Sequence, residues 1–334
     1  MSQTASTPAC TCGLIDVHVH CLSPTYKKAL AEAGLTSLDG GFPVPEWSAG
    51  SALEVMDREG IETMMLSVSS PSVSFIPDKR ARVAFARKIN EEVAEVMAAH
   101  PNRFGGFATL PLPHLPECLD EVRYSLDELG LHGVVLETNY DGAYLGDNAF
   151  VPLFQELARR NAPVFLHPTS PACFEQVGLG RPAPLFEFPV DSARDVIDMI
   201  FAGVFEQAPG LKLILSHSGG VLPSIARRIA ALSAMPAMKP APRPSAEVMR
   251  IFAELHYDLA MSANQPTFDY LRTLVPLSQI LFGTDYPFQK SDNVASNTAS
   301  FWALKGLSSQ DHEAVARGNA ERLFPGLGGA RQLQ

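Results

Sequence analysis

The chain has 334 residues, of which 46% are hydrophobic and 19% are charged, and its formal net charge at pH 7 is −10. This composition is typical of a globular enzyme and excludes disordered and fibrous proteins. The negative charge, with no cluster of lysine and arginine against it, argues against nucleic acid as a partner.

The start of the chain and its cysteines indicate a reducing compartment. No basic segment followed by an apolar core opens the sequence, and no later run is long and apolar enough to cross a bilayer, so we expect a cytoplasmic protein without membrane contact. The five cysteines are an odd number without the paired spacing of a zinc finger, which argues against a disulfide framework. Cys10 and Cys12 could bind metal, although such an isolated pair is more often incidental.

The first predicted strand carries two histidines. In the segment Ile15–His20, strand alternation places Asp16, His18 and His20 on one face and the aliphatic residues on the other. Confined imidazoles without partners lose solvation and repel each other when charged, and a shared metal ion would remove both costs. A polar strand face that happens to carry two histidines is the alternative.

A segment rich in glycine and proline follows, after a short helix. It runs from Gly40 to Gly50 and contains Phe42 and Trp47, which would be costly to leave in water. We interpret this insertion, residues 21–60, as a lid over a site, with ordinary packing as the alternative.

Strands and amphipathic helices alternate along the rest of the chain. The further predicted strands are Ile61–Val68, Phe104–Leu110, Gly133–Glu137, Pro163–His167, Leu211–His217, Glu254–Ala260 and Gln279–Thr284. The predicted helices are Arg80–Ala99, Glu117–Leu129, Phe150–Arg160, Asp191–Gln207, Leu222–Leu232 and Gln310–Leu323.

This alternation predicts an α/β fold, a (β/α)8 TIM barrel with a small lid insertion after the first strand. A doubly wound sheet would require a glycine-rich phosphate turn after that strand, where the histidines stand instead. We therefore expect a flexible N-terminal segment (1–12), a barrel (13–325) and a C-terminal tail (326–334).

Polar residues follow several strands at the barrel end where catalytic groups are expected. His18 and His20 end the first strand, His167 ends the fifth, His217 ends the sixth and Asp285 follows the eighth. Each alone could be a core histidine or a turn aspartate, but together they predict one metal centre. Three imidazoles and a carboxylate suit one divalent ion, Zn²⁺ before Mn²⁺ or Fe²⁺, and leave a position open for substrate.

His217 is assigned a different role from the other histidines. It lies between small residues in Ser216-His217-Ser218-Gly219-Gly220, which leave room for substrate beside the ring. We interpret it as a general acid/base. A second metal is disfavoured because no lysine that could be carboxylated into a bridge ends strand four, where Glu137 is the only ionisable group.

Four segments carry a family pattern. They are Asp16-Val17-His18-Val19-His20, Phe165-Leu166-His167-Pro168, Leu215-Ser216-His217-Ser218-Gly219-Gly220 and Phe282-Gly283-Thr284-Asp285-Tyr286-Pro287. In this order, over residues 14–323, they resemble the amidohydrolase superfamily, in the branch of aminocarboxymuconate semialdehyde decarboxylase and related aromatic acid decarboxylases. The Asp39-Gly40-Gly41 loop and the region 191–229 are similar to methylsalicylate decarboxylases.

The resemblance implies metal ligation by His18, His20, His167 and Asp285, with His217 handling a proton. It also implies a homodimer or higher homo-oligomer with a shared site, because in the semialdehyde decarboxylase an arginine after the strand-six glycines reaches a neighbouring subunit's substrate.

Arg228 has the spacing of that arginine in this chain. Two departures from the family pattern change other expectations. The segment Trp47–Met56 lacks the arginine that precedes the next helix of that enzyme, so substrate is not bound identically. Gly220 stands where resorcylate-type relatives carry a glutamate, so their proton relay is not carried over intact.

The predicted function is non-oxidative decarboxylation of a small aromatic, in particular phenolic, or unsaturated carboxylic acid. The metal would hold the carboxylate, and Asp285 or His217 would protonate the ring carbon before C–C cleavage. Candidate substrate contacts, for which packing or solvation are the alternatives, are Trp47, Phe174, Phe186, Phe188, Phe288 and Arg181.

Two rival functions remain open at this point. A metal-dependent hydrolase of a lactone, amide or ester would use the same ligands with His217 as base. A non-catalytic binding protein could keep the barrel, but it would not need a proton-transfer histidine beside a metal.

Overall fold

Eight parallel strands form the centre of the fold in the computed structural model, which describes residues 13–327. The strands are β1 (Leu14–His20), β2 (Ile61–Ser67), β3 (Phe104–Thr109), β4 (Gly133–Glu137), β5 (Val164–His167), β6 (Leu213–Leu215), β7 (His256–Asp258) and β8 (Ile280–Leu281). Cys10, Cys12 and most of the predicted terminal segments lie outside the described residues.

The sheet closes on itself between its first strand and the segment after its last. Each strand pairs with the next in chain order, and the Val17 N–H donates to the Phe282 carbonyl over 3.0 Å. Val19 also forms a parallel bridge to Tyr286. The predicted (β/α)8 barrel is thereby confirmed.

Helices surround the barrel. They are α1 (Pro24–Glu32), α2 (Ala49–Glu59), α3 (Lys79–Ala99), α4 (Leu115–Arg123), α5 (Val151–Arg159), α6 (Phe174–Val177), α7 (Ala183–Ala202), α8 (Val204–Gln207), α9 (Leu222–Ser233), α10 (Ser245–Glu254), α11 (Gln265–Arg272), α12 (Ser291–Trp302), α13 (Ser309–Glu313) and α14 (Asn319–Leu323). No helix within residues 13–327 is long and apolar enough to span a membrane.

The hydrophobic core has two layers. An inner cluster fills the barrel around Phe107 and Phe165, whose rings stack with centroids 5.3 Å apart, and Phe324 of the C-terminal segment packs against Phe107. A larger outer cluster lies between the strands and the helices. Both faces of the strands are therefore buried, as parallel barrels require.

The strict alternation predicted for β1 is wrong. Ile15 and Val17 belong to the inner cluster, whereas Val19 belongs to the outer one. The pairing with β2 shifts register between Asp16 and Val19, because β1 advances by three residues there while β2 advances by two. Such a bulge re-aims the side chains beyond it, so His18 stands above the inner layer, 4.9 Å from the ring of Phe165.

Several predicted boundaries after β5 also differ from the structure. The helix expected at Asp191–Gln207 begins at Ala183 and contains Pro189 in its interior. A proline usually breaks a helix, but here the helix continues through Pro189. Helices α10, α11 and α12 were not predicted, and Glu254 ends α10 instead of opening β7.

Replacement of Phe107 tests the inner layer. Phe107→Ala leaves a cavity among rings that cannot collapse, so the free energy of unfolding in urea should fall by about 3–5 kcal/mol. Phe186→Ala is the control, since that side chain is 61% exposed, and should change stability by less than about 0.5 kcal/mol. An equally small loss of unfolding free energy in both variants would contradict a packed barrel interior.

Candidate metal centre and its cavity

Five polar side chains predicted from the sequence converge at one mouth of the barrel. The ring centroids of His18, His20 and His167 lie between 4.7 and 5.6 Å apart. His217 Nε2 lies 3.6 Å from Asp285 Oδ2. Four of the side chains are buried, and His217 is half-buried. The structure therefore brings together the five side chains that the strand-end argument selected.

Three donor atoms form a compact triangle. His18 Nε2 lies 3.1 Å from His20 Nε2, and Asp285 Oδ1 lies 3.4 and 3.3 Å from these nitrogens. Ligands bound tetrahedrally at 2.0–2.1 Å from one metal lie roughly 3.4 Å apart. His167 offers a further ring nitrogen within 4.8 Å of those of His18 and His20. The spacing thus fits a single metal ion.

Hydrogen bonds on the far sides of the rings orient their lone pairs inward. His18 Nδ1 lies 2.8 Å from Asp258 Oδ2. His20 Nδ1 lies 3.2 Å from Ser67 Oγ, which donates its own hydrogen to the Val19 carbonyl. Both Nδ1 atoms therefore act as donors, and both Nε2 atoms face each other as acceptors. Two lone pairs at 3.1 Å require a cation or a proton between them.

The ionisation of the site favours metal binding. Burial lowers the pKa of His20 to about 4 and that of His167 well below its usual value, which keeps both rings neutral, as ligands must be. Burial opposes charge on His18, yet Asp258 and Asp285 raise its pKa to about 10. The same two carboxylates would stabilise a metal ion in place of that proton.

A buried glutamate lies behind His167. Glu137 Oε2 is 3.8 Å from His167 Nδ1, and neither Glu137 oxygen has a hydrogen-bond partner among the described residues. Burial, reinforced by the charge of Asp39, raises the pKa of Glu137 well above its ordinary value. Burial therefore favours the neutral form of Glu137 beside the predicted ligand.

The backbone at His217 takes an unusual path. His217, Ser218, Gly219 and Gly220 have φ angles of 53°, 57°, 74° and 60°, in the region that favours glycine. The His217 N–H donates to Asp258 Oδ1 over 2.9 Å. A Cβ on Gly220 would lie 2.2 Å from the carbonyl oxygen of Pro189. This backbone therefore favours glycine over any residue with a side chain at position 220.

The site opens into a cavity of about 390 Å³, a volume suited to a small ligand. His167, His217 and Asp285 lie at one part of its wall. Phe42, Phe188 and Phe288 supply aromatic surface, and His20 contacts Phe288 with ring centroids 5.1 Å apart. Asp39, Ser69 and Ser70 add polar groups.

Of the predicted substrate contacts, only Phe188 and Phe288 line this cavity. Trp47 was placed wrongly, because it is 8% exposed and packs in the outer core cluster. Phe186 is largely exposed and does not line the cavity, whereas Phe188 of the same helix is buried and does.

The remaining predicted contacts lie on the surface or near it. Phe174 is half-buried on the short helix α6 and Arg181 is exposed, and neither lines the cavity. Arg228 is also exposed, on α9, and does not line the cavity of its own chain.

Sequence reasoning missed three residues that support the site. Asp258 ends β7 at the same mouth, so the strand-end argument could have found it. Ser67 ends β2, so the same argument could have found it. Asp39 lies in the segment interpreted as a lid. The sequence pointed to it only through the resemblance of the Asp39-Gly40-Gly41 loop, which did not mark its side chain as part of the cavity wall.

Comparisons with known proteins agree with this geometry. The amidohydrolase family model Amidohydro_2 matches residues 15–326. The chain is 35% identical over 320 residues to the 6-methylsalicylic acid decarboxylase acuB of Aspergillus aculeatus, covering 94% of this chain and 96% of that protein. It is 29% identical over 287 residues to the gamma-resorcylate decarboxylase of Rhodococcus jostii, covering 81% of this chain and 86% of that protein.

A solved structure is also similar. The dihydroxybenzoic acid decarboxylase of a Polaromonas species, crystallised with manganese and the inhibitor 2-nitroresorcinol, superposes with a TM-score of 0.79. The two sequences are 25% identical, and the match covers 93% of this chain and 96% of that one.

Loss of a ligand should remove the metal. His167→Ala removes one proposed ligand and Asp285→Asn removes the negative charge of another, so neither variant should retain metal after dialysis, as measured by mass spectrometry of the bound metal. His217→Ala is the control and should retain it. Full metal occupancy in either ligand variant, with a native circular dichroism spectrum, would reject the assignment.

Asp258 should control the orientation of the His18 proton. In Asp258→Asn the side-chain oxygen stays with the backbone N–H groups of His217 and Ala260, so the amide nitrogen faces His18 Nδ1. The imidazole proton must then move to Nε2, and metal affinity should fall at least about 10- to 100-fold. Calorimetric titration measures this change.

The exposed Asp269 on α11 provides the matched control for that titration. Asp269→Asn should leave the affinity unchanged. An unchanged affinity in Asp258→Asn would show that Asp258 does not set the tautomer.

Proposed function

This chain belongs to the amidohydrolase family, and on that premise we propose that it catalyses the metal-dependent, non-oxidative decarboxylation of a small aromatic carboxylic acid. The observation that carries the proposal is the donor triangle of His18, His20 and Asp285 beside a cavity with aromatic walls. The 6-methylsalicylic acid and gamma-resorcylate decarboxylases support the reaction class.

The proposed cofactor is one divalent ion held by His18, His20, His167 and Asp285. Nitrogen donors and a single carboxylate favour Zn²⁺, and Mn²⁺ is the alternative, which the manganese in the Polaromonas relative supports. When bound, the ion supplies positive charge that holds the substrate carboxylate and a neighbouring hydroxyl oxygen.

His217 is the proposed proton donor. Its ring lines the cavity, is partly exposed, and lies 3.6 Å from Asp285 Oδ2. Asp285 thus contributes Oδ1 to the donor triangle and directs Oδ2 toward His217. This carboxylate can stabilise the charged imidazolium before proton transfer. The Asp258 carboxylate accepts hydrogen bonds from the backbone N–H of His217 and from the ring of His18, so it holds both residues in place.

The bond changes follow from this placement. The proton passes from His217 to the ring carbon that carries the carboxylate, which interrupts aromaticity. The C–C bond then breaks, its electron pair returns to the ring, and CO₂ leaves. His217 regains its proton from solvent through its exposed edge. The net reaction converts the carboxylate and one proton into the arene and CO₂.

The aromatic walls orient the substrate ring. Phe288 lies between His20 and Phe42, with ring centroids 5.1 and 5.6 Å away. We propose that residues 21–60 act as a lid, in which the segment Leu38–Phe42 covers the cavity. Exclusion of water there strengthens the electrostatic contacts within the site.

The assembly and compartment are also proposals. We propose a homodimer in which Arg228, exposed on α9, reaches the substrate of a neighbouring subunit. A monomer with full activity, or an Arg228→Ala variant with unchanged turnover, would contradict it. The free thiols of Cys21, Cys118 and Cys173 support a reducing, cytoplasmic location.

Anaerobic incubation of the metal-quantified protein with hydroxybenzoic acids tests the function. CO₂ should be released as substrate absorbance falls, release should stop after chelation, and it should return with added Zn²⁺ or Mn²⁺. His217→Ala should lower turnover at least about 100-fold while metal remains bound.

Hydrolysis of lactones, amides or esters without CO₂ release would replace this proposal by the hydrolase alternative. The metal assignment would then still stand, because both reactions use the same ligands.

A further inference from the structure

Asp39 presents one unpaired carboxylate oxygen to the cavity. Its other oxygen, Oδ2, is surrounded by three donors: Ser70 Oγ at 2.9 Å, Thr169 Oγ1 at 2.8 Å and Ser170 N at 2.6 Å. Oδ1 has no hydrogen-bond partner in residues 13–327, although the side chain lines the cavity. One oxygen therefore anchors the group, and the other is available to a ligand.

The anchor is rigid because it belongs to a continuous hydrogen-bonded network. The Thr169 N–H donates to Thr138 Oγ1 over 3.1 Å, and Thr138 in turn donates to the buried Asp191 of α7. This network connects the lid segment to the segments after β4 and β5. The position of Oδ1 is therefore set before a ligand binds.

The neighbouring residue fixes the lid from the other side. Gly40 has a φ angle of 66°, and a Cβ there would lie 2.3 Å from Cβ of Ala183 at the start of α7. The turn is thus packed directly against the helix that carries Phe188.

The surroundings of Oδ1 define the chemistry that it accepts. No lysine or arginine is among the described residues that line the cavity, and Leu38, Phe42 and Leu185 supply apolar surface. A carboxylate oxygen is an acceptor only, and a ligand that displaces water from the half-buried Asp39 must supply a hydrogen-bond donor in its place. A neutral donor would satisfy it, whereas a second substrate carboxylate would be repelled.

We propose that Asp39 Oδ1 accepts a hydrogen bond from a ring hydroxyl of the substrate, and that this contact selects hydroxylated aromatic monocarboxylic acids over aromatic dicarboxylic acids. This inference rests on the proposed decarboxylase function and specifies its substrate class. Asp39 is thus a specificity-determining residue of the lid.

The sharpest test reverses the polarity of this contact. In Asp39→Asn the amide oxygen should stay with the Ser170 N–H, so the amide NH₂ replaces Oδ1 as a donor toward the cavity. Salicylic acid and its derivatives with one further hydroxyl, methoxy or carboxyl group at each ring position form the test panel. Values of kcat and KM are measured for each, with dissociation constants by calorimetry.

In the wild-type protein, the hydroxyl at one ring position should improve kcat/KM about 10- to 100-fold over the methoxy group at that position. Asp39→Asn should abolish or invert this preference, mainly through KM, and should admit the dicarboxylic acid. Asp269→Asn, the exposed control on α11, leaves the anchor of Asp39 intact and should retain the wild-type preference.

The outcomes separate this inference from the proposed function. If Asp39→Asn changes every member of the panel by the same factor, the hydroxyl contact is refuted while decarboxylation stands. If no acid loses CO₂, the proposed function fails, and calorimetry still decides the inference. Equal binding of hydroxyl and methoxy derivatives to the wild-type protein would refute the contact.

Discussion

The close approach of two imidazole nitrogens is the constraint on which the rest of this structure depends. His18 Nε2 and His20 Nε2 lie 3.1 Å apart, each with its opposite nitrogen held as a donor by Asp258 or Ser67. Without a cation, the facing lone pairs and the nearby Asp285 would repel one another at a fully buried site. The free energy of metal binding would therefore offset the strain of assembling these groups.

The backbone shows how that assembly is achieved. Alternation alone would put two residues on one strand face, but the bulge in β1 lifts His18 above the inner core layer while the preceding Val17 remains within it. After β6 and β8, His217 and Asp285 have positive φ angles of 53° and 68°. Non-glycine residues adopt such angles at a cost of about 1–3 kcal/mol each, and this cost is typically found at functional sites.

The cavity divides its chemistry between two sets of residues. The strand ends of the barrel supply the proposed metal ligands and the proposed proton donor, and the closed sheet holds these residues rigidly. The segment Leu38–Phe42 supplies Phe42 and Asp39, and hydrogen bonds from Ser70, Thr169 and Ser170 to Asp39 hold it in place. Under the proposed function, the barrel residues would carry out the reaction and this segment would contribute to the choice of substrate.

The sequence by itself determined the barrel and the positions of His18, His20, His167, His217 and Asp285, because hydrophobic periodicity marks each strand and parallel strands end at a common mouth. Only the tertiary structure decided the β1 bulge, the passage of α7 through Pro189 and the burial of Trp47 away from the cavity. It also decided which acids pair across the fold, such as Asp258 with His18, 240 positions apart. Local patterns report on neighbours along the chain, whereas these contacts depend on how distant segments pack, which periodicity does not encode.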